Sequence, residues 1–241
     1  MNERPEIYKK DVAPSLWRMY ERTPEYKEGR IESINSVHPL IYAAEQQGLI
    51  KVVHKFIAEL ENTSNLRVYF QGRQETDWLN EWKQMHEVLF RTVYRAKGVF
   101  RTTGQDVRFG DPGDEELHRV PPGGPQTLTD IYGVANLIKL QLYYVDSHNT
   151  DSVCQFLAQV HYNFIRVHPF LDGNGRIARA VTDQLAISLG YPPIIAGFPR
   201  TNEEKKNTYH SAITGCIGDP SCYKLAVWIK NQIEVKISEL A

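Results

Sequence analysis

HPFLDGNGRIAR, residues 168–179, decides how the rest of the chain is read. It sets an imidazole, a carboxylate, an asparagine between two glycines and two arginines into one loop-to-helix passage. Pro169 pushes the residue before it out of helical geometry, so the preceding helix is expected to end at His168 with the imidazole at its tip, placed as a general base. Gly173 and Gly175 permit positive φ and a close approach of backbone to ligand, so the N–H groups around Asn174 can converge on a phosphate or a developing oxyanion. The helix that follows adds its positive end. Arg176 and Arg179 lie three apart on one face of that helix, and their forked guanidiniums match polyphosphate oxygens. Asp172 is the segment's one carboxylate, and a single carboxylate completed by substrate phosphates and water is a normal way to hold Mg2+. The competing reading is a solvated turn in which glycine and Asn174 merely cap the first helix. It explains the glycines but leaves the histidine, the carboxylate and both arginines together by accident.

This segment resembles the signature of the Fic family, H-x-F-x-D/E-G-N-G-R-x-x-R, filled at His168, Phe170, Asp172, Gly173, Asn174, Gly175, Arg176 and Arg179. The resemblance runs from about Trp82 to Ile229 and implies an all-α fold with a small β-hairpin flap beside the active-site loop. It also implies transfer of AMP from ATP to a Ser, Thr or Tyr hydroxyl of a target protein. On that reading His168 deprotonates the hydroxyl and Asp172 holds Mg2+ against the α and β phosphates. The Gly173-Asn174-Gly175 backbone and the Asn174 side chain cradle the phosphates, Arg176 meets the β phosphate and Arg179 the γ. Phe170 anchors the loop to the core, the usual role of an aromatic in such a place. Tyr209 falls where Fic cores often carry an aromatic near the adenine; a packed tyrosine with its hydroxyl satisfied is an equal alternative.

Gly98 to Phe109, GVFRTTGQDVRF, places β-branched and aromatic residues on either side of Gly104, as expected of a hairpin. The resemblance makes it a flap that pairs with an extended stretch of the target, with Val99, Phe100, Arg101 and Thr102 as the target-facing strand. An ordinary solvent-facing hairpin is the alternative. One family pattern is missing: no glutamate sits in the inhibitory motif S/T-x-x-x-E-G/N. Glu28-Gly29 and Glu61-Asn62 supply its second half, but Pro24 and Ile57 stand where Ser or Thr is expected. Inhibition then falls to a separate antitoxin-like protein, to a divergent internal segment, or is absent. The functional alternatives are transfer of another nucleotide or of phosphate on the same fold, and a non-catalytic nucleotide-binding module. Doc-like signatures resemble D-A-N-K-R where this chain has DGNGR at 172–176, which disfavours phosphate transfer. Full retention of base, carboxylate and arginines disfavours a pure binder.

Composition sets wider limits. The chain has 241 residues, 41 % of them hydrophobic, which suits one domain or one domain with an extension. A formal net charge of -1 gives no footprint for nucleic acid or an acidic membrane surface. Cys154, Cys216 and Cys222 are an odd number without metal-ligand spacing, so a reduced intracellular setting is expected, with Cys154 packing. With no long apolar run and an N-terminus reading MNERPEIYKK, a cytoplasmic protein is expected, in its producer or, after delivery, in a host cell. Whether it forms a homodimer is left open. No Walker loop, G-x-S-x-G elbow or H-E-x-x-H is present.

Residues 1–35, with Pro5, Pro14 and Pro24, read as an extension carrying one or two short helices, ahead of a helical domain over 36–241. Apolar residues from Ser36 to Leu60, among them Ile41, Ala44, Val53, Phe56 and Ile57, recur at helical spacing and predict one helix or a pair broken near Gly48. Further helices are expected over 76–96, 127–145, 152–166, 175–189, 201–214 and 221–240, with Gly- and Pro-rich loop at 111–125. The helix at 201 has a capping-box pattern between Thr201 and Glu204. The last helix carries Leu225, Trp228, Ile229, Ile233 and Ile237 as a buried stripe. His86, similar to a histidine often found early in Fic cores, is read as structural.

Overall fold

Three- and four-residue spacing of apolar side chains dominates this sequence, and ten helices form among the described residues. The computed structural model describes residues 6–27, 33–35, 38–95, 97–105, 107, 120–194 and 203–240. In chain order these are β1 (Glu6–Tyr8), α1 (Pro14–Tyr20), α2 (Pro24–Lys27), β2 (Ser33–Asn35), α3 (Pro39–Glu61), α4 (Leu66–Gln71), α5 (Glu75–Phe90), α6 (Pro125–Tyr144), α7 (Thr150–Val167), α8 (Asn174–Ser188), α9 (Glu203–Thr214) and α10 (Tyr223–Leu240). The fold is all-α as expected; β1 and β2 pair antiparallel, Ile7 opposite Ile34. Contacts divide the chain into two compact units, residues 1–62 with 80–99 and residues 63–79 with 100–241.

In the first unit, α1 opens on Pro14, whose fixed φ suits a first helical position, and buries Leu16, Trp17 and Tyr20. The helix α3 runs 23 residues straight through Gly48, the single helix of the two expected arrangements and not the broken pair. A Cβ there would collide with the backbone of Leu89, so this glycine marks a close helix approach and not an end. That approach also sets which face turns inward. Ile41, Ala44, Val52 and Phe56 are buried, whereas Val53 and Ile57, expected inside, are 38 % and 44 % exposed. The helix α5 stops at Phe90 because the N–H groups of Val93 and Tyr94 both turn back to its carbonyl, and Tyr94 then bridges to Val12. His86 is buried and its Nδ1 accepts the Gly98 N–H at 2.9 Å, a structural role.

In the second unit, α7 packs against α6, α8 and α10. Asn149 starts α7 by accepting the N–H groups of Asp151 and Ser152, satisfying donors that the first turn leaves orphaned. Ten α7 residues are then buried, from Val153 to Val167, roughly 1.5–3 kcal/mol for each large apolar side chain. Cys154 is one of them; burial pushes its thiol up to about 12 and makes it a packing residue. Arg67 of α4 donates to the carbonyls of Leu142 and Val145 and so closes the C-terminal end of α6. Asp219 opens α10 by accepting the Ser221 and Tyr223 N–H groups. Leu225, Ile229 and Ile233 are buried, but Ile237 is 51 % exposed, because α10 outruns its packing and every residue from 234 to 239 faces outward.

The hairpin expected at 98–109 is present as its turn. Gly104 takes φ +81° and the Gln105 N–H donates to the Thr102 carbonyl at 2.9 Å. No strand occurs among the described residues of this segment. Asp106, Arg108 and Phe109 lie outside the described residues, as do Asp111 to Arg119 of the following loop and Thr201 of the capping box.

Candidate active site at the junction of α7 and α8

Helix α7 ends at Val167, and His168 follows in the left-handed region with φ 50° and ψ 58°. A non-glycine residue there costs on the order of 1 kcal/mol and persists only where its surroundings dictate it. Here the peptide is held on its N-terminal side by the His168 N–H, which donates to the Phe164 carbonyl at 3.1 Å. The ring is held as well: Nδ1 lies 3.1 Å from the Ile165 carbonyl. A carbonyl only accepts, so Nδ1 carries the hydrogen and the lone pair stands on Nε2. Burial pulls the imidazole down to about 4; the Arg101 charge works the same way, against the Ile165 hydrogen bond and Asp172. The ring is therefore neutral near pH 7, as a base must be.

Between His168 and α8 the loop is tied by two hydrogen bonds to one peptide unit. Asn174 accepts the Phe170 N–H through Oδ1 and donates to the Phe170 carbonyl through Nδ2, both at 2.8 Å, and is 1 % exposed. The side-chain amide expected in the phosphate cradle is thus a clamp within the loop, engaged at both ends by the Phe170 peptide. Phe170 is fully buried, its ring centroid 5.1 Å from that of Phe100, the anchoring role expected of it. Gly173 takes φ +82° as the cap of α8, but Gly175 is ordinary helix, so only the first of the two glycines is required by its dihedral. The N–H groups of Asn174 and Gly175 begin α8, in the first turn, whose donors have no acceptor within the helix.

Both arginines point back to that end, because Cβ atoms on a helix tilt toward its N-terminus. The Arg176 Nη2 donates to Asp172 Oδ1 at 3.1 Å, and a Cβ placed on Gly175 would meet the Arg179 Nη1 at 3.5 Å. Asp172 Oδ1 also accepts the Gly173 N–H at 2.6 Å, and its side chain is 48 % exposed. Among the described residues no three His, Cys, Asp or Glu groups gather. A half-exposed carboxylate beside the start of a helix is suited to Mg2+, whose shell phosphates and water would complete.

Beneath Arg179 lies a layer that sequence reasoning missed. The Arg179 guanidinium is 6.0 Å from the Tyr209 ring, and Tyr209 is 3 % exposed with its hydroxyl 2.7 Å from His161 Nε2. His161 Nδ1 lies 2.8 Å from Thr182 Oγ1, which donates its own proton to the Ala178 carbonyl. That direction fixes the rest: Nδ1–H donates to Thr182, and Nε2 accepts from Tyr209. Burial brings His161 down to about 3, with Arg179 adding to it. Of the two readings of Tyr209, the geometry is that of the packed tyrosine with a satisfied hydroxyl. The available signal was His161 itself, a histidine on the inner face of an apolar helix seven residues before His168.

The four residues expected to face a target do not share a side. Val99 is 58 % exposed and Thr102 exposed, whereas Phe100 is 8 % and Arg101 2 % exposed, so two adjacent residues turn inward where a regular strand would alternate. The Arg101 N–H is spent on the Pro169 carbonyl and the Thr102 N–H on Gln105 Oε1, each at 2.8 Å.

Residues 77–186 match the model of the Fic/DOC family. The protein adenylyltransferase Fic of Drosophila grimshawi is 33 % identical over 93 residues, which is 38 % of this chain and 17 % of that protein. That of Drosophila erecta is 38 % identical over 55 residues, 23 % of this chain and 10 % of its own length. The chain thus spans a small part of the curated relatives it matches. Among solved structures, a Fic-1 fragment from C. elegans superposes with a TM-score of 0.57 at 18 % identity, covering 82 % of this chain and 51 % of its own. The N-terminal Fic domain of the VirB-translocated effector Bep8 from Bartonella sp. 1-1C gives 0.56 at 13 %, covering 83 % and 87 %. At these identities the likeness is one of fold.

Proposed function

With residues 77–186 a Fic/DOC-family domain, we propose that the chain transfers AMP from ATP to a hydroxyl of a target protein, with His168 as general base. One observation carries the reading: a neutral imidazole with its lone pair on Nε2 stands at the tip of α7, one short loop from a helix N-terminus toward which two arginines fold back. Base, anion cradle and charge neutralisation are the three things this reaction needs.

Nε2 takes the proton of the target hydroxyl as its oxygen attacks the α phosphorus. The bond from that phosphorus to the β-bridging oxygen breaks and pyrophosphate leaves. The N–H groups of Asn174 and Gly175, Arg176 and Arg179 receive the phosphates. Asp172 would hold Mg2+, which when bound offsets phosphate charge. Tyr209 acts from below, by setting Arg179, and not by stacking on the base. The target is a protein bearing an acceptor hydroxyl; inhibition by a separate antitoxin-like protein, by a divergent internal segment or by neither all agree with this reading.

The test is parallel labelling with α-³²P and γ-³²P ATP, with His168→Ala beside the wild type. AMP transfer predicts label from the α form only, lost in the variant. Label from the γ form indicates phosphate transfer, and undiminished label with His168→Ala removes histidine as the base.

A further inference from the structure

Arg101 belongs, by sequence, to a strand that faces a target, yet it is among the most buried charged residues described, at 2 % exposure. Its partners explain the burial. Nε donates to the His168 carbonyl at 2.7 Å and Nη2 to the Val167 carbonyl at 3.3 Å. The backbone N–H of the same residue donates to the Pro169 carbonyl at 2.8 Å. Three consecutive carbonyls around the imidazole are therefore received by one residue. The remaining donors reach two other segments, Nη1 to the Gln105 carbonyl at 2.8 Å and Nη2 to the Pro121 carbonyl at 2.9 Å. The Arg101 carbonyl in turn accepts the Gly124 N–H at 3.0 Å. Gly123 and Gly124 admit this approach, since a Cβ on either would strike Thr102 or Thr103.

Carbonyls at the end of a helix have no partner within it, and a cation there also meets the negative end of the helix dipole. A flat fork with five donors can satisfy several of them at fixed angles, which an ammonium cannot. We propose that Arg101 is a positioning residue for catalysis: by holding the carbonyls of Val167, His168 and Pro169 it fixes the left-handed turn that aims the His168 ring. The inference rests on the AMP-transfer reading for its catalytic consequence and on geometry alone for the anchoring. It also assigns the turn at 102–105 a second task, since any displacement of that turn is transmitted to the histidine through one side chain.

The experiment compares Arg101→Gln and Arg101→Lys with wild type in kcat, KM for ATP and amide hydrogen exchange. A misplaced base with an intact phosphate cradle predicts a kcat lowered about a hundredfold in Arg101→Gln. KM for ATP stays within about threefold, because the groups from 173 to 179 are untouched. Arg101→Lys recovers part of the loss, its charge kept and its fork gone. Exchange quickens over 165–170 and holds over 176–188. A folded Arg101→Gln with kcat within about twofold of wild type overturns the proposal. So does a joint loss of kcat and ATP binding with exchange quickened throughout α7 and α8, the mark of a merely structural residue. Should Arg101→Gln fail to fold, Arg101→Lys carries the same three measurements. If wild type transfers no α label, the functional reading fails by itself, while the exchange pattern still decides whether Arg101 anchors the turn.

Discussion

His161 and His168 sit seven residues apart, about two turns, on and just beyond the same helix, and they make an instructive pair. Burial lowers both imidazoles well below the ordinary value, to about 3 and about 4. Both carry hydrogen on Nδ1 and a lone pair on Nε2, by the partners they meet. They differ in what surrounds that lone pair. His161 gives it to the Tyr209 hydroxyl in a fully buried layer between α7, α8 and α9. His168 leans on a carbonyl of its own helix and stands where the helix has ended, beside the glycine-capped start of α8. A depressed pKa is thus common to a structural and a candidate catalytic histidine, and position at a helix tip beside the start of the next helix separates them.

The sharpest way to break the comparison is to remove each histidine in turn. His168→Ala is expected to lower AMP transfer by about two to four powers of ten with ATP binding, measured calorimetrically, retained. Asn174→Ala should come next. It strips the Phe170 peptide of both partners at a buried site, costing about 1–3 kcal/mol in denaturant unfolding and lowering kcat by about tenfold or more. Tyr209→Phe removes only the hydroxyl that His161 receives; about 1 kcal/mol of stability should go, with kcat within about threefold. A Tyr209→Phe as inactive as His168→Ala would erase the distinction drawn between the two histidines.

Acidity sharpens it further. The lowered pKa of His168 predicts a kcat/KM that holds from pH 8 to about 5.5 and falls only near pH 4, whereas an ordinary histidine base would fall near 6.5. Stability follows the same sign. Each histidine titrates lower in the fold than in the unfolded chain, so between those values the unfolded chain binds more protons and stability drops as pH falls below 6.5. The slope is roughly 1.4 kcal/mol per pH unit for each proton taken up, and His161→Gln should flatten a melting-temperature series over that range.

Much of this was legible in the sequence because local rules govern it. Pro169 ended α7 where steric exclusion says it must, and α6 to α10 fell near their expected bounds because apolar spacing marks them, whereas the six-residue α4, too short to show a period, was not expected. The misses have a common cause, a neighbour that local sequence does not announce. Gly48 leaves one helix and a broken pair both open until Leu89 is seen against it. Val53 and Ile57 read as core until the face of α3 chosen by that approach turns them outward. Asn174 is expected in a phosphate cradle, and nothing in the local sequence announces that Phe170 engages both ends of its amide. Arg101 reads as a surface charge until three loop carbonyls and two from elsewhere converge on it. Hydrogen bonds made by one side chain to distant backbone leave no periodic trace.

The amide of Asn174 closes the backbone from Phe170 into a small ring, with Leu171 at its rim, 51 % exposed. A protease must draw its substrate into an extended strand before it can cut. An exposed leucine next to an aspartate looks like an easy place to nick, yet the ring must open first, and opening it strands a buried peptide group without partners. An exposed side chain on this loop is, for that reason, expected to resist digestion.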